Sequence, residues 1–162
     1  MKTLLTTLLL FVAVLANAQV PRTTGTFSHG TECMGVEGDG SQTVKVYGSG
    51  RNRWDALEQA RKNGVRDVIF NGIRSGQPDC AVRPMVNEVN AREKHERYFN
   101  TFFADDGPYK EFVSTEDERH AQRVRRGKTR SASGSEVSHA FVVRILCVEL
   151  KQRLIADGIL KD

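Results

Sequence analysis

No two cysteines in the 162-residue sequence stand at C-x-x-C spacing, and no two histidines at H-x-x-x-H spacing. The short thiolate and imidazole frameworks that hold zinc are therefore missing. No serine sits in a G-x-S-x-G elbow, which removes the usual nucleophile turn of an α/β-hydrolase. Charge of one sign is only slightly in excess. Lys and Arg number 24 against 20 Asp and Glu, a surplus too small to imply nucleic acid by itself. Four prolines and 14 glycines are too few for a collagen-like or low-complexity chain. What remains is 39% hydrophobic and 27% charged, ordinary values for one folded domain.

Long apolar runs are also scarce. Leu4 to Leu15 is broken only by Thr6 and Thr7, and it is too short to span a bilayer comfortably. Lys2 precedes it, and Ala16-Asn17-Ala18 follows with small residues at the two positions a signal peptidase reads. This is the three-part pattern of a secretory signal peptide over 1–18, with cleavage expected after Ala18. Residue 19 is Gln, so there is no lipid-acceptor cysteine and no transmembrane anchor is expected after cleavage. The mature product, residues 19–162, is expected in the periplasm or outside the cell.

Export permits a disulfide. Three cysteines allow one pair and leave one thiol. Cys147 lies in the apolar run 140–150, where a thiol behaves as a small hydrophobe. Cys33 and Cys80 lie in Gly- or Pro-rich surroundings, and Cys33–Cys80 is the favoured pairing of the three. It would contribute about 3–4 kcal/mol.

Residues 19–30 read as a loose lead into a single domain. Thr31 to Glu37 and Thr43 to Tyr47 flank the turn cluster Gly38-Asp39-Gly40-Ser41 and suggest a hairpin that Gly48-Ser49-Gly50 ends. Asn52 stands at an N-cap position with Asp55 in the first turn. The helix it opens runs to about Phe70. Trp54, Leu57, Ala60, Gly64, Val65 and Val68 fall on one side, with Arg61 at the stripe's edge turning outward. Gly64 inside a helix costs about 1 kcal/mol against Ala, and close approach to a sheet is the expected return. A second helix is expected from Pro84 or Met85 to Phe103, then a turn at Asp105-Asp106-Gly107-Pro108. Residues 118–130 read as a polar strand, 131–135 as a small-residue turn and 136–148 as a strand covered on both faces. Glu149 to Asp157 reads as a short helix stopped by Gly158. Leu150 and Leu154 would dock it.

Nucleotide motifs are partial. Gly127-Lys128-Thr129 ends like a phosphate-binding loop, but position 122 is Gln and no helix follows. Gly48-x-Gly50 opens a dinucleotide fingerprint whose third glycine is Arg53. His29, His95, His120 and His139 are scattered, so neither metal nor cofactor is expected. The notable stretch is basic: six of the twelve residues from Arg119 to Arg130 are Lys or Arg and none is acidic. Arg123 and Arg125 share one strand face, and Arg126, Lys128 and Arg130 share the other. They are the candidate anion- or partner-binding residues, against the plainer reading of a solvated edge strand. Tyr98 and Phe102, in an aromatic quartet with Phe99 and Phe103, form a secondary candidate surface, although such a quartet is more often core.

The segment Val44-Lys45-Val46-Tyr47-Gly48-Ser49-Gly50, followed by Trp54-x-Ala56-x-x-x-Ala60 and on to Gly72, resembles the N-terminal domain of the flagellar H-ring protein and related small exported envelope lipoproteins. The resemblance covers about half of the mature chain. It implies a strand, a small-residue turn and an alanine-spaced helix on a sheet, in a non-catalytic protein acting by association. The chain departs from it in lacking the lipid-acceptor cysteine, and in adding the second helix and the Cys33/Cys80 pair.

The expected fold is α/β of the α+β type, a mostly antiparallel sheet with helices packed on one face. The expected function is an exported, non-enzymatic binding or assembly module of the bacterial cell envelope. Its partner would be an envelope protein or an anionic envelope surface rather than nucleic acid. A small secreted enzyme with a site assembled only in three dimensions, or a secreted inhibitor or effector, is the alternative.

Overall fold

The computed structural model describes residues 30–81, 83–115, 129–130 and 137–161. The signal segment, residues 19–29 of the lead and the turn at 131–135 lie outside them. Six strands build one mixed sheet: β1 (Glu32–Val36), β2 (Gln42–Gly50), β3 (Ser75–Gly76), β4 (Val113–Ser114), β5 (Thr129–Arg130) and β6 (Val137–Ile145). The order is β3-β1-β2-β6-β4, with β5 also on β6. Every pairing is antiparallel except β1 with β3. This is the α+β fold with a mostly antiparallel sheet and helices on one face. The hairpin turn is set by Asp39, whose carboxylate accepts from the Ser41 N–H at 2.9 Å and hydroxyl at 2.6 Å. Gly40 supplies the positive φ of 81°. Gly48-Ser49-Gly50 does not end the strand. It stays in β2 because β6 pairs along its whole length, from Gln42 with Ile145 to Gly50 with Val137.

Helix α1 (Arg53–Phe70) crosses β2 and β6. The Asn52 side chain accepts from the Trp54 and Asp55 N–H groups at 2.8 and 2.9 Å, so the expected cap is present. Ala56, Leu57, Ala60, Gly64, Val65, Val68 and Ile69 are buried. They face Val44 and Val46 of β2 and Phe141, Val143 and Ile145 of β6 within one core. Small residues let the layers close. A Cβ added at Gly48 would stand 2.0 Å from the Ala56 carbonyl oxygen and 2.6 Å from the Ala60 nitrogen. The expected approach at Gly64 is also present, with Val46 Cγ1 2.9 Å from where a Cβ would stand.

Two residues depart from the helical projection. Trp54 is 68% exposed, because it sits in the first turn, ahead of the stretch of helix that covers the sheet. Arg61 turns inward instead of out. Its guanidinium donates to Glu58 Oε1 at 2.6 Å and to Thr115 Oγ1 at 2.9 Å, and its Nε is buried without a hydrogen bond.

The expected helix over 84–103 is shorter and divided. Met85 and Val86 donate their N–H groups to the Val68 and Ile69 carbonyls, which fills acceptors at the end of α1. Asn90 then adopts a left-handed φ of 59°. Helix proper is α2 (Ala91–Lys94) and α3 (Glu96–Phe102), parted at His95. Charges crowd the first half of this segment and leave it no apolar stripe long enough to hold one continuous helix. The Asp105–Pro108 turn is present, with Asp106 at φ 62° and a 3-10 turn over Pro108–Phe112.

Cys33 and Cys80 are joined by a disulfide, and Cys147 is a buried free thiol. The bridge ties β1 to the loop behind β3. There Gly76, at φ 94°, lets β3 pass so close to Cys33 that a Cβ would lie 2.2 Å from its carbonyl oxygen. The last helix, α4 (Cys147–Ala156), begins two residues earlier than expected, because β6 ends at Ile145. Leu150 and Leu154 are fully buried, and Gly158 at φ 73° stops the helix. Among the described residues no helix is long and apolar enough to cross a membrane.

Candidate functional site

Arg123, Arg125, Arg126 and Lys128 lie outside the described residues, as does most of the strand expected over 118–130. Arg130 is the one cation of that stretch within the described residues. It pairs with Val137 of β6, and Val137 pairs on its other side with Gly50 of β2. Arg130 and Gly50 therefore lie in one row across three strands, about 10 Å apart.

From Gly50 the chain turns into α1 through Arg51 and Asn52. Arg51, Asn52, Arg53 and Trp54 form an unbroken exposed run. The Arg51 side chain is 88% exposed and reaches Asp55 only at 3.4 Å. The Arg53 guanidinium lies 4.9 Å from the Phe141 ring centre, and that ring is 5.9 Å from His139. This end of the sheet thus carries Arg51, Arg53 and the backbone of Arg130, with the exposed Trp54 in the first turn of α1. The hairpin turn at the opposite end carries Glu37 and Asp39, with Arg144 3.9 Å from Glu37. The Ser41 hydroxyl and N–H hold the Asp39 carboxyl below its ordinary range. The β1–β2 hairpin is therefore acidic at its turn and basic where β2 hands over to α1. Arg51, Arg53 and Trp54 are functional candidates that the sequence reading passed over. Their signal was the R-N-R-W run, hidden because Trp54 projects onto the apolar side of the helix.

A second constellation centres on Glu58. Tyr109, fully buried, donates its hydroxyl to Glu58 Oε2 at 2.9 Å, and Lys110 Nζ lies 3.0 Å from the same oxygen. Arg61 holds the other oxygen. Burial pushes the Glu58 carboxyl up, but hydrogen bonds from Lys110 and Tyr109 outweigh it and hold the pKa below the usual value. Burial and the Glu58 charge both push the Tyr109 phenol up, so it stays a donor. Both Glu58 carboxylate oxygens are engaged, one by Arg61 and the other by Tyr109 and Lys110. The geometry is that of a clamp. Through Arg61 and Thr115 it fixes β4 and the point where the chain leaves toward the basic stretch.

The aromatic surface expected at Tyr98 and Phe102 is corrected. Phe102 is 1% exposed and lies against Tyr98, Phe103 and Phe112. Tyr98 packs its ring on Phe99 and donates its hydroxyl to Asp157 at 2.7 Å. Aromatic side chains at the end of a short helix bury more area inward than outward. A shallow groove beside α3 is lined by Glu96, Arg97, Asn100, Thr101 and Ala104. Its one hydroxyl, on Thr101, already donates to the Arg97 carbonyl. Among the described residues no three His, Cys, Asp or Glu side chains converge as metal ligands.

No protein-family model, curated protein or solved structure matches this chain.

Proposed function

We propose that the chain is an exported binding module of the bacterial envelope that holds an anionic partner against the end of its sheet. The observation that carries this reading is the row Gly50–Val137–Arg130. It joins the foot of a stretch with six cations in twelve residues to Arg51 and Arg53. The disulfide supports export, since such bonds persist in oxidising compartments. Action by association rather than catalysis agrees with the resemblance to the flagellar H-ring N-terminal domain.

The test is fractionation of cells expressing the full chain. The recovered protein should begin at Gln19 and sediment with the envelope at low salt. Raising the salt toward 1 M shortens screening to about 3 Å and should release it. Replacing Arg123, Arg125, Arg126, Lys128 and Arg130 together with Gln should move it to the soluble fraction. Urea unfolding of the variant should match that of the parent. Equal retention of parent and variant at low salt would refute the anionic-partner reading. An intact Met1 on the recovered protein would refute export.

A further inference from the structure

We propose that the partner is an anionic phospholipid surface, met by the Arg51–Trp54 end with the Trp54 indole in the headgroup layer. The proposal rests on the anionic-partner reading above and names the partner's class.

Three observations carry it. Trp54 is the only tryptophan in the sequence and is 68% exposed, while Phe99, Phe102, Tyr109, Phe112 and Phe141 are buried. It is flanked by two exposed arginines, Arg51 and Arg53. Among the described residues it has no large exposed apolar neighbour at that end. The other large exposed apolar side chains among the described residues are Val36, Val89 and Val148. Val36 and Val148 lie at the hairpin-turn end, one paired with Gln42 and the other against Gly40. Val89 lies in the loop before α2. A stable protein–protein interface needs an apolar centre within about 800 Å² on each partner, and one indole between cations does not supply it. A bilayer surface needs no such centre. An indole is favoured at the headgroup level by its apolar body and polar N–H. Anionic headgroups attract nearby arginines through the surface potential. Phe141 of β6 holds the Arg53 guanidinium against its ring.

The single tryptophan makes the test direct. The mature chain is mixed with vesicles of phosphatidylglycerol and, separately, of phosphatidylcholine. Trp54 emission should shift to the blue and be quenched by lipids brominated near the headgroup, with phosphatidylglycerol only. In co-sedimentation, Arg51→Gln and Arg53→Gln should each weaken binding about fivefold, and Trp54→Ala about tenfold. Far-UV circular dichroism should match the parent's for all three, since each side chain is exposed. If the chain binds phosphatidylglycerol vesicles with unshifted Trp54 emission and undiminished binding of Trp54→Ala, this docking face is wrong and the basic stretch alone carries the contact. If it ignores both vesicles yet stays in the salt-released envelope fraction, the partner is not lipid and the anionic-partner reading survives. If it does neither, both readings fall.

Discussion

Replacing Gly48 with Ala tests the packing argument where the margin is smallest. The new Cβ would lie 2.0 Å from the Ala56 carbonyl oxygen, whereas ordinary contact begins near 3.4 Å. Strand and helix must part by about 1.4 Å at that point, and the obstacle is backbone, which no rotamer change relieves. A further clash with the Ala60 nitrogen at 2.6 Å blocks a simple tilt. Overpacking of a well-filled core costs about 1–3 kcal/mol, and opening this seam also loses contacts along Val44, Val46 and Val65. The expected loss is therefore about 3 kcal/mol or more. Gly64→Ala is the control. There the added Cβ meets only the side-chain tips of Val46 at 2.9 Å and Ile145 at 3.3 Å. Gly to Ala in a helix interior returns about 1 kcal/mol, so the two effects should nearly cancel. The assay is urea unfolding of the oxidised mature chain. With a slope of about 2 kcal/mol per molar urea, Gly48→Ala should lower the midpoint by about 1.5 M and Gly64→Ala by under 0.5 M. A Gly48→Ala variant as stable as the parent, or a reversed order, refutes the reasoning.

Reduction of Cys33–Cys80, which closes a loop with a sequence separation of 47, should cost about 4 kcal/mol by chain entropy; urea unfolding with and without reductant measures it. Cys147 is buried and its thiol is pushed up to about 11 by that burial. A maleimide at pH 8 should leave it unmodified in the folded chain and label it fully in urea. Glu58→Gln should destabilise the protein most at neutral pH. Because the folded carboxyl titrates below its ordinary value of 4.5, the stabilisation is present above that value and fades as the pH falls through the depressed one. Unfolding curves of parent and variant should therefore converge in acid, and a gap that widens there would contradict the clamp.

The features legible in the sequence were those fixed by local chemistry. Asn52 announced its helix because a side-chain oxygen two residues ahead of a helical N–H has one good use. Gly158 announced its stop for a similar reason, and the near-continuous apolar run around Phe141–Ile145 announced the central strand. The pairing of Cys33 with Cys80 followed from Cys147 being surrounded by hydrophobes. What was hidden depended on where neighbours ended. Trp54 lies in the helical stripe by angle, but the part of α1 that covers the sheet begins a turn later. Arg61 lies at the stripe's edge, and its guanidinium turns inward to Glu58 and to Thr115, a residue 54 positions away. Met85 and Val86 read as helix, whereas the carbonyls at the end of α1 claimed their N–H groups. The basic stretch was plain from composition. Its relation to Arg51 and Arg53 needed the register of β6, which no local pattern encodes.

The two longest strands, β2 and β6, form the centre of the sheet, and they come from opposite ends of the chain. Val46 lies beside Phe141, and Val44 beside Val143. Contact between such remote segments is slow to form, because a long loop must close before any burial compensates for it. The early part of the chain therefore holds only a hairpin and a helix whose apolar face lacks half its cover. Stable structure waits for the last strand to be made. Under the export proposed above, that delay would keep the chain threadable through a narrow pore until nearly all of it had passed. Folding and bridging of Cys33 to Cys80 would then follow on the far side.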